Sequence, residues 1–387
     1  MTKQAFLDEL NRLTGGLGEA ERARLVDYYR EMIEDRVEEG VSEAEAVAAL
    51  GNPADIALEF APADAQASAA GGSETVEALR SLRVRVANAD VKIVGESLDS
   101  GAAAQLRFSD PERFEWRMDG DALLVQERRP EDKHRGLEYG LRWLKQMISE
   151  SGLRVTIALS KALTDALDFE GGGSDLRVEG VAFAKARLIT ASGDITLKDV
   201  ACEGGIGINL NTHSGDMKLT DVSAANLMVH TGSGDLTAQR LRLSGQLRLE
   251  SASGDIELRD VGCGALTAVT ASGDIEADRC RAAGTVIRSA SGDVRLDEVE
   301  SDPTLAVDTA SGDVDLTRCI ARETRVKTAS GDVDLRLEPL PCGYDIIAHS
   351  VSGSIHFDDG TSADAGDPEK PKIDIRTVSG DIEARPV

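Results

Sequence analysis

Residues 249–297 read LESASGDIELRDVGCGALTAVTASGDIEADRCRAAGTVIRSASGDVRLD, and this stretch decides the fold. Ser-Gly-Asp falls at Ser253, Ser272 and Ser291, 19 residues apart each time. Three residues after each serine stand Ile256, Ile275 and Val294; five after stand Leu258, Ala277 and Leu296; Glu257, Glu276 and Arg295 lie between. That in-out-in alternation is the period-2 pattern of a half-buried strand. Four residues before each serine the apolar position returns as Leu249, Ala268 and Ile287, and two before stand Ser251, Thr270 and Ser289. Each unit therefore reads as strand, Ser-Gly-Asp turn, strand, second turn. Glycine there is expected to supply a positive φ, and Asp and Ser to bond nearby backbone amides.

The pattern extends in both directions. Ser-Gly-Asp also occurs at Ser192, Ser214, Ser233, Ser311, Ser330 and Ser379, with Ser-Gly-Ser at Ser352, and the copies up to Ser352 are 19 to 22 residues apart. A 20-residue β unit cannot bury its own apolar face, so the copies must stack. At about 4.8 Å per coil, ten units make a rod about 45–50 Å long with an aliphatic interior. The expected fold is mainly β: a β-solenoid of about 20-residue two-strand coils, preceded by a small all-α bundle. Ile373 to Val387 is expected to supply the closing coil.

Composition agrees. The chain has 387 residues, 41% hydrophobic and only 3% aromatic, with 38 glycines, which suits a thin aliphatic core. Its net charge of −26 argues against nucleic acid, which needs a basic face, and points to cationic peptides or basic proteins as partners. Among the five cysteines, Cys280 and Cys319 fall where other copies carry Val200, Val222, Leu241, Val261 and Val299. Cys202 and Cys263 fall two residues later in their copies, beside Ala224, Leu243 and Ala282 in the others. All four read as small core residues. Cys342 lies in an irregular bend, and no CxxC zinc pattern occurs.

Residues 1–60 read as the bundle. Phe6, Leu7, Leu10 and Leu13 share one helical face; Leu25, Tyr28, Tyr29, Met32, Ile33 and Val37 form a second stripe; Ser42-Glu43-Ala44-Glu45 opens a third helix and Asn52-Pro53 a last turn. Residues 61–74 are a small-residue linker, and 75–387 the repeat domain. Leu82, Val84 and Val86, then Val91, Ile93 and Val94, are expected in irregular first coils. Leu137, Leu141, Leu144 and Ile148 predict an amphipathic helix inserted over 131–151, and 358–371 a polar loop. The first residues, Met1 to Asp8, have no signal-type apolar run, and no stretch approaches the ~20 apolar residues of a membrane helix. The expected location is cytoplasmic, with a cell-surface or envelope position by a non-classical route as the alternative.

Two resemblances follow from these residues. Phe6-Leu7-Asp8-Glu9-Leu10, Tyr28-Tyr29-Arg30-Glu31-Met32-Ile33-Glu34-Asp35 and Ala48-Ala49-Leu50-Gly51-Asn52-Pro53-Ala54-Asp55-Ile56-Ala57 make the first 60 residues similar to the bacterial HAAS-type helical domain, which implies a cytoplasmic interaction or signalling module. The repeats, marked by Gly193-Asp194 through Gly380-Asp381, resemble the bacterial adhesin-like family of Gly-Asp β-strand repeat proteins, some of them related to envelope-stress proteins. That resemblance implies a binding protein rather than an enzyme.

The candidate site is the row of turns. If the corners stack, Asp194, Asp216, Asp235, Asp255, Asp274, Asp293, Asp313 and Asp332, and then Asp381, line one edge, with Gly193, Gly215, Gly234, Gly254, Gly273, Gly292, Gly312, Gly331 and Gly380 shaping the corners. The structural expectation is that each aspartate accepts bonds from turn amides or from the preceding Ser or Thr. The functional alternative is a Ca²⁺ ladder of clustered oxygens; otherwise no cofactor is implied. His134, His213, His230, His349 and His356 form no convergent catalytic grouping with Ser and Asp, so no enzyme is expected. End-to-end association through the terminal coils is the remaining partner expectation.

Overall fold

The computed structural model describes residues 2–15, 19–38, 42–48, 50, 53, 74–98, 101–128, 152–160, 164–340, 342–358 and 370–387. The linker at 61–73, the helix expected at 131–151, most of the turn after Asn52 and the centre of the 358–371 loop lie outside them. The chain divides into two compact units: Met1–Glu74 with Arg107–Glu115 and Arg128–Val155, and Thr75–Leu106 with Trp116–Glu127 and Thr156–Val387.

In the first unit, α1 (Lys3–Leu13), α2 (Glu19–Glu38) and α3 (Glu43–Ala48) form a bundle. Thr2 caps α1 by accepting the Ala5 amide on Oγ1 at 3.3 Å, which satisfies one of the helix's orphan donors. Phe6, Leu7, Leu10, Leu25, Tyr29, Ile33, Ala46, Val47 and Leu50 are buried together. Phe6 and Tyr29 meet with ring centroids 6.0 Å apart at a 56° tilt, a favourable aromatic geometry. Val37, expected on the α2 stripe, is 43% exposed. It sits at the end of a twenty-residue helix flanked by helices of eleven and six residues.

The second unit is a parallel β-solenoid. After each Ser-Gly-Asp turn the strands pair in register through Ile195, Met217, Leu236, Ile256, Ile275, Val294, Val314 and Val333. Before each turn the column runs Leu188, Leu210, Val229, Leu249, Ala268, Ile287, Val307 and Val326. Every member of both columns is buried. Parallel stacking at zero offset places like on like, so each layer closes the core of the one before. A third, shorter ladder refines the two-strand coil: Ala201, Ser223, Arg242, Gly262, Arg281, Glu300 and Ile320 pair in succession.

The early strands join the same stack out of sequence order. Val84 lies between Val125 and Phe169, and Val91 pairs with Leu176. Buried Glu127 accepts the amides of Ala87 and Asn88 on Oε2 at 2.7 and 3.0 Å.

The C-terminal end corrects the expected order. Val333 pairs with Ile382, and Ile382 also pairs with Ile355; Val326 pairs with Ile375, and Ile375 with Ala348. The coil made by Lys372–Thr377 and Ile382–Pro386 is therefore penultimate, and Asp345–Ser350 with Ile355–Phe357 stacks outside it. Both coils carry the same alternation, so either fits the same neighbour. Exposure of Ile347, Val351 and Ile355, at 45%, 80% and 41%, marks the outer coil.

Candidate functional site

The Ser-Gly-Asp corners stack into one ridge, held by three devices. The first is a carboxylate–amide chain. Each aspartate Oδ1 accepts the backbone N–H of the aspartate in the next coil: Asp194 from Asp216 at 2.8 Å, Asp216 from Asp235 at 2.9 Å, Asp255 from Asp274 at 2.8 Å. The chain continues through Asp235, Asp274, Asp293, Asp313 and Asp332 to Asp381. It ends where Asp381 accepts the Ser354 amide at 2.7 Å, and this bond holds the Asp381 carboxyl below its ordinary pKa. The acceptors thus act between coils, not within one turn. Ser354 replaces aspartate in the outermost described coil, where among the described residues no further amide needs an acceptor.

The second device is a column of buried hydroxyls at the position two before each serine. Thr270 Oγ1 accepts the Gly273 amide at 3.1 Å and donates to the Gly254 carbonyl of the preceding coil at 3.1 Å. Thr212, Thr231, Ser251, Ser289 and Thr309 repeat both bonds. A valine here would strand a buried N–H, so the side chain must be small and hydroxylated.

The third device is glycine, and its expected role needs correction. None of the Ser-Gly-Asp glycines has a positive φ; among the described residues the glycines that do are Gly101, Gly120, Gly180, Gly207 and Gly343. Instead the corners nearly touch. A Cβ on Gly215, Gly234, Gly273 or Gly312 would lie 2.0, 1.9, 2.1 or 2.0 Å from the glycine carbonyl oxygen of the coil before. Gly254, Gly292, Gly331 and Gly380 face the same obstruction, and Gly193 faces the Ser174 carbonyl oxygen at 1.8 Å.

The positive φ lies at a second corner. Seven residues after their serines, Asp199, Asp221, Arg240, Asp260, Arg279, Glu298 and Arg318 all have φ between 50° and 56°. Non-glycine residues there meet their own carbonyl and cost roughly 1–2 kcal/mol each. Regular bonding between coils holds them: the amides of Arg240, Asp260, Arg279, Glu298 and Arg318 donate to the next coil's carbonyls at 2.9–3.0 Å. From Asp221 to Arg318 the charges alternate in sign, with Glu298 supplying the last negative charge. Arg240 grips Asp221 at 2.6 and 2.7 Å, Arg279 grips Asp260 at 2.7 and 3.2 Å, and Arg318 reaches Glu298 at 3.1 Å. The hydrogen bonds from Arg240 and Arg279 hold the Asp221 and Asp260 carboxyls below their usual pKa.

Against this geometry stand the comparisons with known proteins. Residues 205–286 and 240–385 match the Toastrack DUF4097 family model. Residues 5–59 match the HAAS model, over the stretch whose motifs resemble that domain. No curated protein matches the chain. Similar solved structures include the following three. The "putative cell adhesion protein" of Clostridium sporogenes is 9% identical, covering 82% of this chain and 99% of its own, with a TM-score of 0.20. The "putative lipid binding protein" of Parabacteroides distasonis is 14% identical, covering 81% and 96%, with a TM-score of 0.33. The "putative adhesin" of Bacteroides fragilis is 12% identical, covering 81% and 96%, with a TM-score of 0.28.

Within the toastrack-matched stretch the ridge borders an acidic hollow of about 280 Å³, lined by Asp235, Thr237, Asp255, Glu257, Asp274 and Glu276. Glu257 pairs with Arg259 at 2.9 Å and Glu276 with Arg295 at 2.8 Å. Asp235, Asp255 and Asp274 are exposed and make no ion pair among the described residues. Among the described residues no three His, Cys, Asp or Glu side chains converge to hold a metal ion.

The thiols follow the packing expectation in two copies and partly in two. Cys202 and Cys280 are buried, Cys263 and Cys319 half-buried, and Cys342 exposed. Burial pushes the Cys280 thiol up to about 11 and those of Cys263 and Cys319 to about 12, so none is a ready thiolate. His230 lies 3.6 Å from Glu250 and His356 3.0 Å from Asp358, each exposed. Among the described residues no helix is long and apolar enough to cross a membrane.

Proposed function

We propose that this chain is a non-enzymatic binding protein whose Ser-Gly-Asp ridge takes a cationic partner, a basic peptide or the basic edge of another protein. The supporting observation is the hollow in which Asp235, Asp255 and Asp274 stand together without a counter-cation among the described residues. Each carboxylate gives one oxygen to a neighbouring coil's amide and presents the rest of its charge outward. Like charges about 4.8 Å apart repel. A cationic chain laid along the ridge relieves that repulsion, and an extended peptide carries positive groups at a comparable spacing.

The HAAS match over residues 5–59 favours a second part to this reading: the helical unit couples the rod to a regulatory partner in a cytoplasmic scaffold. Display of the same acidic face at the cell envelope, as an adhesin-like or stress-response factor, is the competing setting. Surface-protease accessibility on intact cells separates the two.

Calorimetric titration of the full chain with a lysine-rich peptide tests the binding claim. Asparagine keeps the amide-accepting Oδ1, so the triple change Asp235→Asn, Asp255→Asn, Asp274→Asn should fold as before. It should weaken the peptide about tenfold and flatten the salt dependence. Equal affinity for variant and parent would sink the proposal.

A further inference from the structure

The second corner carries a feature that the acidic ridge does not explain. A hollow of about 470 Å³ opens there, lined by Arg240, Arg242, Arg279 and Arg281 together with Asp260, Glu298 and Glu300. Its floor is Leu241, Val261 and Cys280, each buried in the core. On a chain of net charge −26, the four guanidinium groups outnumber the three carboxylates around this hollow.

Gly262 leaves part of the hollow unfilled. In the third ladder Gly262 is paired with Arg242 on one side and Arg281 on the other, so one layer lacks a side chain between two arginines. This glycine has neither of the reasons found at the corners. Its φ is not in the left-handed region, and a Cβ on it would meet nothing nearer than the Leu241 carbonyl at 4.0 Å. A strand glycine is destabilising by roughly 0.5–1 kcal/mol relative to alanine, and packing does not demand it here.

The arginines keep donors to spare. Arg240 uses Nε and Nη2 on Asp221, and Arg281 uses Nε and Nη2 on Glu300 at 2.6 and 2.7 Å, which leaves the Nη1 edge of each. Arg242 makes no hydrogen bond or ion pair within 4 Å among the described residues, although Asp221 feels its charge. Three guanidinium groups with open N–H edges around a vacant layer match a tetrahedral oxyanion, which the arginine fork binds in bidentate fashion.

We infer that the hollow over Gly262 is an oxyanion site, in which Arg242 and Arg281 hold a phosphate group from two sides with Arg240 beside them. The site lies on a different corner from the cation-binding ridge and does not depend on it. An exposed rim, with Arg281 75% open, makes it a surface subsite for the phosphate of a larger ligand or for the free ion.

The test is titration of the full chain with inorganic phosphate, and separately with glycerol 3-phosphate, at constant ionic strength balanced by chloride. Phosphate should bind and raise the melting temperature where chloride does not; tighter binding of the ester assigns the group to a larger ligand, equal binding to the free ion. Arg242→Gln should weaken binding about tenfold, the scale of one charge-assisted contact. Gly262→Leu fills the layer at a position with room for it and should abolish binding while the protein still melts cooperatively. The inference is overturned if phosphate acts no differently from chloride, or if both variants bind it as the parent does.

Discussion

The two corners of each coil solve opposite problems. At the Ser-Gly-Asp corner the backbone conformation is ordinary, but adjacent coils approach so closely that no Cβ fits. At the corner seven residues after the serine the coils leave room for long side chains, but the backbone is left-handed. Glycine is spent on the tight corner, and the strained one is given to Asp, Arg and Glu. Crowding from a neighbouring coil cannot be relieved locally, whereas an unfavourable φ can be offset by bonds that recur at every layer.

Breaking the tight corner should have the largest effect. Gly273→Ala places a methyl 2.1 Å from the Gly254 oxygen, where only backbone can yield. A loss on the order of 3 kcal/mol or more is expected, read as a lower urea midpoint at unchanged slope. Thr270→Val keeps the shape but strands the Gly273 amide and the Gly254 carbonyl. That should cost about 1–3 kcal/mol, with amide exchange quickened at Gly273 rather than along the whole rod. At the strained corner, Arg279→Gly relieves the left-handed backbone while losing exposed ion pairs to Asp260 and Asp278, so the urea midpoint should move least of the three. A collapse in that variant, with Gly273→Ala tolerated, would reverse the assignment of roles to the two corners.

Much of this was legible in the residues. Aligning the copies on their serines gives the register of both long ladders, from Ile195 to Val333 and from Leu188 to Val326, because a period of two and a fixed turn leave one way to stack. The hydroxyl column was visible as Thr or Ser, but its purpose was not, since its bonds run between coils. Glycine's role differs from the expectation because a left-handed turn and a close approach leave the same letter. The second corner was hidden for the converse reason: Asp, Arg and Glu do not announce a positive φ. Its signal was the alternating sign from Asp221 through Arg240 and Asp260 to Arg279. The exchange of the last two coils was masked by their shared pattern, and only Ser354, an aspartate position without an aspartate, points to the outer one.

That exchange has a consequence for how the protein is made. Because residues 372–387 fit inside a layer that leaves the ribosome before them, the rod cannot be completed simply by adding each new coil to the last. Residues 345–357 must wait, unseated, until residues 372–387 have been translated, and a chain cut after residue 371 would lose not one layer but the docking surface of a second.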